Sequence, residues 1–293
     1  LAALVSAKSL FRELNMEDRI HFKVENHIAH VHLVRGDKMN ALDDAMMDAL
    51  IEAGERLHTD KDIRVAVISG EGKAFCAGLD MGNFAKMADS SRDKASVASG
   101  RLAKRTHGLA NRPQKTAVTW REAPVPVIGA AHGFALGGGF QLFMGADIRY
   151  AAPKTRFSIM EIKWGLVPDM GTTHAMTKVA GEDVVKELAM TGRIFEAEEA
   201  RELGFLTRIA DDPLAAAIDT AQQIAARNPD AIRGIKRLFN EPADVQLADT
   251  LMLESVLQDE IIGTANQIEA VTAELEKRPA SFTDGADSKQ AAE

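Results

Sequence analysis

Two glycine-containing corners, each following an apolar run, carry the chemistry this chain offers. The first is Lys73-Ala74-Phe75-Cys76-Ala77-Gly78-Leu79-Asp80, and the second is His132-Gly133-Phe134-Ala135-Leu136-Gly137-Gly138-Gly139-Phe140-Gln141-Leu142. Glycine lets backbone approach closely, and the start of a helix presents free N–H groups. A pair of such corners can hold one oxygen bearing negative charge. The plainer readings are an ordinary turn with a buried thiol for the first and a phosphate loop for the second. The second is not G-x-x-x-x-G-K-[ST], and no Lys follows its glycines, which argues against a P-loop. Cys76 has no His or Asn in a matching motif and reads as a small buried residue. The eight His residues form no H-E-x-x-H pattern and no G-x-S-x-G occurs, so neither a metal site nor a Ser-His-Asp triad is read.

The elements that must position these corners follow from the apolar pattern. A strand is expected over Phe22–Val34, and a helix capped by Asp43 or Asp44 with Met46, Met47, Leu50, Ile51 and Leu57 at helical spacing. Buried strands are expected over Ile63–Ile68, Val125–Ala130 and Asp147–Ala151, with a helix starting at Gly137 and a short extended piece from Arg156 that ends at Glu161. Residues 84–121 are polar and weakly periodic, which predicts loop and helix. From Gly171 the pattern is helical: Thr172–Val179, Asp183–Met190, Glu196–Leu203, Pro213–Ala226, Ala231–Phe239 and Ala248–Lys277. Strand and helix alternate early and helices dominate late, which predicts an α/β core with a helical C-terminal part.

With 293 residues, the chain can bury a sizeable core. Apolar residues at 46% and charged residues at 27% are ordinary for a globular protein and argue against disorder or a rod. The net charge of −8 disfavours generic binding to nucleic acid or anionic membrane. One cysteine rules out an internal disulfide and points to a reducing, cytoplasmic compartment. The stretch between Glu122 and Asp147 holds no Asp, Glu, Lys or Arg, yet its Pro and Gly residues read as strand, glycine turn and helix rather than a membrane span. The chain begins at Leu1, which suggests a processed start or a cloning remnant.

The sequence resembles the crotonase (enoyl-CoA hydratase/isomerase) superfamily, and the likeness runs from about Phe22 to Phe282. It is carried by Lys38-Met39-Asn40-Ala41-Leu42, by both glycine corners, by Asp147-Ile148-Arg149-Tyr150-Ala151, and by Phe157-x-x-x-Glu161, Gly165-Leu166 and the ending from Glu276 to Phe282. The resemblance implies a spiral of ββα units followed by helices that build a trimer, often paired into a hexamer. On that basis the chain divides into an N-terminal extension 1–20, a spiral core 21–210, a helical trimerisation region 211–279 and a flexible tail 280–293.

The resemblance also assigns roles. The backbone N–H groups of Leu79 and Gly138 would hold the thioester oxygen of an acyl-CoA. Family hydratases use two carboxylates; the second matches Glu161, and the first falls on Gln141, which cannot exchange protons near neutral pH. Isomerases of the 3-enoyl type manage with one carboxylate at the Glu161 position. Asp169, eight residues after Glu161, is similar to the dienoyl-CoA isomerases, although it precedes Met170-Gly171-Thr172 and can equally cap a helix. Gln141 reads equally as a structural hydrogen-bonding residue. CoA contacts would come from Lys38, Asn40, Ala41, Ala77, Asp80 and Lys277, the last from a neighbouring subunit, with a solvated helix end as its plainer role. Coenzyme A enters as part of the substrate and no separate cofactor is implied. The expected function is an enoyl-CoA double-bond isomerase, with enoyl-CoA hydratase as the close alternative. A non-catalytic acyl-CoA binder or RNA-binding relative is the alternative of another class.

Overall fold

Asn26 and His27 both take left-handed backbone angles, φ 51° and 67°. Two such residues in succession make the turn that joins antiparallel strands most tightly. The strand expected over Phe22–Val34 is therefore a hairpin: β2 (Ile20–Glu25) pairs antiparallel with β3 (Ile28–Leu33), and Glu25 faces Ile28. The computed structural model describes residues 12–16, 18–88, 102–227, 229–240, 248, 251–252, 255–256, 258–259 and 262–278. The anticipated tail 280–293 and much of Ala248–Lys277 lie outside them.

β1 (Arg12–Met16) adds to the hairpin antiparallel, so part of the anticipated N-terminal extension is an edge strand of the main sheet. From β3 the sheet continues parallel through β4 (Val65–Gly70), β5 (Val127–Ala131), β7 (Ile148–Ala151) and β10 (Arg208–Ile209), giving seven strands. β4 and β5 are buried at every position, as parallel strands covered on both faces must be, and this is why they read as unbroken apolar runs. A small second sheet joins β6 (Phe134–Leu136), β8 (Arg156–Ser158) and β9 (Phe195–Glu196).

The principal core lies on one face of the main sheet and includes α1 (Asp44–Thr59). Asp43 caps α1 by accepting from Met46 N at 2.8 Å, and Met46, Met47 and Leu50 fall on its buried face. Segment 84–121 contributes α2 (Met81–Ala88) and α3 (Arg112–Glu122). A reciprocal capping box between Asn111 and Gln114 fixes the start of α3. Next comes α4 (Gly138–Met144), the helix expected after the glycines.

Later helices are α5 (Thr173–Val179), α6 (Glu182–Thr191), α7 (Ala197–Glu202), α8 (Pro213–Ala225), α9 (Pro229–Asn240) and α10 (Ala265–Glu276). α8 covers the opposite face of the main sheet, where its small residues Ala217, Ala221 and Ala225 meet Val65, Val67, Ile128 and Tyr150. It is thus part of the core, although it falls in the region assigned to assembly. Buried Lys236 of α9 pairs with Asp147 at 2.7 Å and donates to Trp120 O and Val125 O, which fastens α9 to the core. The single helix expected over Ala248–Lys277 is interrupted: Gly263 turns with φ 81°, and Thr264 starts α10 as a fresh N-cap. No helix among the described residues is long and apolar enough to cross a membrane.

Candidate active site

The two glycine corners meet. Cys76 N donates to Phe134 O at 3.1 Å and Leu136 N to Cys76 O at 3.1 Å, so the first corner runs parallel to β6. Their closeness requires glycine. A Cβ on Gly139 would lie 2.2 Å from Cys76 O, and one on Gly78, which has φ 91°, would lie 2.6 Å from Leu136 O.

Leu42 aims the first N–H. It donates to Gly78 O at 2.8 Å and accepts from Asp80 N at 3.1 Å. Backbone groups alternate along an extended segment, so Leu79, between those two partners, turns its own N–H the other way. Gly138 supplies the second. It is the first residue of α4, where an N–H has no partner within the helix. Leu79 and Gly138 both line a cavity of about 500 Å³. Among the described residues neither N–H is spent on a protein acceptor.

Three further side chains anticipated from the sequence gather here. Gln141 lies one turn after Gly138 and is fully buried. Met170 N donates to Gln141 Oε1 at 2.9 Å. A backbone N–H can only donate, which fixes the amide with its nitrogen toward Glu161, where Nε2 donates to Oε1 at 2.7 Å. Glu161 opens a 3-10 turn, Glu161–Trp164, just after β8. Its other oxygen, Oε2, is buried with no hydrogen-bond partner among the described residues. Burial raises its pKa above the ordinary carboxylate value, and the Gln141 hydrogen bond opposes that shift only in part. Asp169 lines the same cavity. The next helix starts one turn beyond it, with Thr172 rather than Asp169 at the N-cap position.

The residues expected to contact CoA divide. Ala77 lines the cavity and Lys38 is exposed on a 3-10 turn, Gly36–Lys38. Asn40 turns its side chain inward. It is fully buried, its Oδ1 accepts from Arg35 N at 2.9 Å, and its Nδ2 donates to Glu71 O at 3.0 Å and Ala74 O at 2.8 Å. Its side chain is framework. Ala41 is buried too, and its carbonyl accepts from Arg35 Nη1 at 2.9 Å. Asp80 is likewise engaged, accepting from Arg35 Nη1 at 2.7 Å and from Gly82 N at 2.8 Å. Lys277 is exposed in the left-handed conformation just past α10 and does not line the cavity.

Other wall residues had no motif. Phe84 of α2 and Trp164 stack with ring centroids 3.9 Å apart, and Met47, Met81 and Leu166 extend the apolar lining. The sequence signal, an aromatic on the apolar side of a short helix, is too common to single out Phe84. Among the described residues no set of three or more His, Cys, Asp or Glu side chains suits a metal ion.

This arrangement can polarise a carbonyl with two N–H groups and move a proton beside it with a desolvated carboxylate. Residues 23–285 match the family model for enoyl-CoA hydratase/isomerase. The chain is 33% identical over 259 residues to the mitochondrial Δ(3,5)-Δ(2,4)-dienoyl-CoA isomerase of Mus musculus, covering 87% of this chain and 78% of that protein. It is 29% identical over 281 residues to the mitochondrial methylglutaconyl-CoA hydratase of the same species, covering 92% and 85%. A crystal structure of an enoyl-CoA hydratase/isomerase from Mycobacterium paratuberculosis superposes with a TM-score of 0.78 at 26% identity, covering 88% of this chain and 99% of that one. The chain therefore belongs to the enoyl-CoA hydratase/isomerase family, within the crotonase superfamily.

Proposed function

We propose that this member of the family is an enoyl-CoA double-bond isomerase. The observation that carries the reading is the Gln141–Glu161 hydrogen bond: where a two-carboxylate hydratase needs a second proton carrier, this chain holds an amide. In the first step Glu161 Oε2 takes the proton from the carbon next to the thioester. The electron pair moves onto the carbonyl oxygen, which Leu79 N–H and Gly138 N–H stabilise as an enolate. In the second step the enolate collapses, the double bond moves toward the thioester, and the proton returns at the far end of the original alkene.

Asp169 decides how far that proton travels. In a 3-enoyl ester the proton moves between carbons two apart, within reach of one carboxylate. In a 3,5-dienoyl ester it moves between carbons four apart, which suits delivery by a second acid. The presence of Asp169 in the same cavity and the similarity to a dienoyl-CoA isomerase support the dienoyl substrate. The second reading is hydration, supported by the similarity to a hydratase. The burial and raised pKa of Glu161 speak for catalysis rather than passive ester binding.

The test compares 2-enoyl, 3-enoyl and 3,5-dienoyl CoA esters on the native protein, Glu161→Gln and Asp169→Asn. Glu161→Gln should lose about 10²- to 10⁴-fold in turnover on both isomerisation substrates while still binding them. Asp169→Asn should lose more on the dienoyl ester than on the 3-enoyl ester. Strong native hydration that survives Glu161→Gln defeats the reading. For assembly, exposed Ile235 and Phe239 on α9 support burial against further copies, and a trimer is expected in sedimentation. A monomer at micromolar concentration contradicts it.

A further inference from the structure

Arg35 lies outside the cavity lining, yet it grips both chain segments that aim the Leu79 N–H. Its Nη1 donates to Ala41 O at 2.9 Å, the peptide just before Leu42. The same nitrogen donates to Asp80 Oδ2 at 2.7 Å, the residue just after Leu79. Its Nη2 lies 3.4 Å from Asp43 Oδ2, on the other side of Leu42. Its own N–H donates to Asn40 Oδ1. One side chain, with 15% of its surface exposed, thus ties the Asn40–Asp43 turn to the residue that follows the oxyanion donor. The two segments also meet through the Leu42 pair of backbone bonds, through Ala77 N donating to Met39 O at 2.9 Å, and through the Cys76 thiol donating to Asn40 O, but none of these bonds reaches beyond Leu79 except the one from Asp80 N. Asp80 completes the device, since its other oxygen accepts from Gly82 N and anchors the start of α2.

Resting on the oxyanion reading above, we infer that Arg35 and Asp80 are positioning residues that hold the Leu79 N–H on the thioester oxygen through their ion pair. Neither touches the substrate. The donor sits on a loop, and only a fixed loop keeps its N–H directed where charge develops. An enolate gains most from donors that need no rearrangement during the reaction. A shift of an ångström at such a donor costs turnover far more than binding, because the neutral ester demands less of it.

The test uses the full chain with 2,4-hexadienoyl-CoA, whose ultraviolet absorbance moves to longer wavelength when its carbonyl is polarised. Arg35→Met removes the clamp. Asp80→Asn keeps the shape of Asp80 and stays informative if Arg35→Met does not fold. Both should bind the ester within about threefold of the native affinity, show a smaller wavelength shift, and lose about tenfold in kcat with KM nearly unchanged. Arg35→Lys, which keeps the charge but has no second nitrogen to reach Asp43 as well, should fall between. Native shift and native kcat in folded Arg35→Met or Asp80→Asn overturn the clamp while leaving the oxyanion hole intact. Weakened binding with the native shift retained overturns it too, by making Arg35 a binding residue. No wavelength shift in the native protein overturns the oxyanion reading and the clamp together.

Discussion

The amide of Gln141 occupies one oxygen of Glu161 and leaves the other unpartnered: Nε2 donates to Oε1 at 2.7 Å, and Oε2 has no partner among the described residues. A carboxylate at position 141 would keep the bond from Met170 N but would have to share a proton with Glu161, since two ionised carboxylates at that spacing repel strongly. Gln141→Glu is therefore expected to raise hydration of a 2-enoyl ester by about tenfold and to slow isomerisation. Following water addition and double-bond shift on matched substrates checks this. Unchanged hydration would count against position 141 as the determinant.

Glu161 sets a pH dependence. Its carboxyl must be ionised to accept a proton, and burial raises its pKa. kcat/KM should climb with pH through a value above the ordinary carboxylate range. For stability the sign is reversed: a raised native pKa means the folded state holds the proton more tightly, so stability is greatest below the unfolded pKa and is lost as pH rises through the native one. Glu161→Gln carries no such loss. Its urea midpoint should match the native midpoint at low pH and exceed it at neutral pH. Parallel midpoints across that range would contradict the assigned burial.

Neighbouring glycines should separate stability from turnover. A methyl on Gly139 would lie 2.2 Å from Cys76 O, a backbone atom that cannot step aside, so Gly139→Ala should cost about 1–3 kcal/mol. On Gly138 it would lie 2.7 Å from Met170 Sδ and 3.1 Å from Leu42 Cδ1, both ends of flexible side chains. Gly138→Ala should therefore be better tolerated in folding but lower kcat by about tenfold, because Met170 sits beside Asp169 and its N–H orients Gln141. Denaturant melts and turnover on the two variants decide it. Gly138→Pro, which deletes the N–H itself, should abolish turnover wherever it folds.

Lys236 tests a site outside the cavity lining. Lys236→Met would take the cation from partly exposed Asp147, which keeps its bond from Val127 N, and would leave two carbonyls without that donor, at a cost of about 1–3 kcal/mol. Below its melting temperature the variant should turn over at the native rate, since neither Lys236 nor Asp147 lines the cavity. A kcat defect at constant fold would show that α9 reaches the site.

Residues legible in the sequence were those whose type and local spacing carry the meaning. Gln141, Glu161 and Asp169 stood out against a known pattern, and the apolar runs of β4 and β5 announced themselves. What stayed hidden depends on partners distant in the chain. The inward bonds of the Asn40 side chain are not legible, because Arg35, Glu71 and Ala74, which hold it, belong to two separate segments. The stack of Phe84 on Trp164 joins residues that share no motif. The hairpin at Asn26–His27 is hidden for another reason: its second turn position lacks the glycine that usually marks such a turn. Gly263 did mark the break before α10, but in a run so helical that it read as an interior residue.

Cys76 sits on the seam between the two corners, fully buried, with its thiol donating to Asn40 O and its pKa pushed up to about 12. A thiol so placed is inert toward alkylating reagents while the seam is shut. It is also the chain's single sulfhydryl. The rate at which a thiol reagent consumes it therefore clocks how often the two corners part, and a bound ester that bridges Leu79 and Gly138 should slow that clock without touching the sulfur.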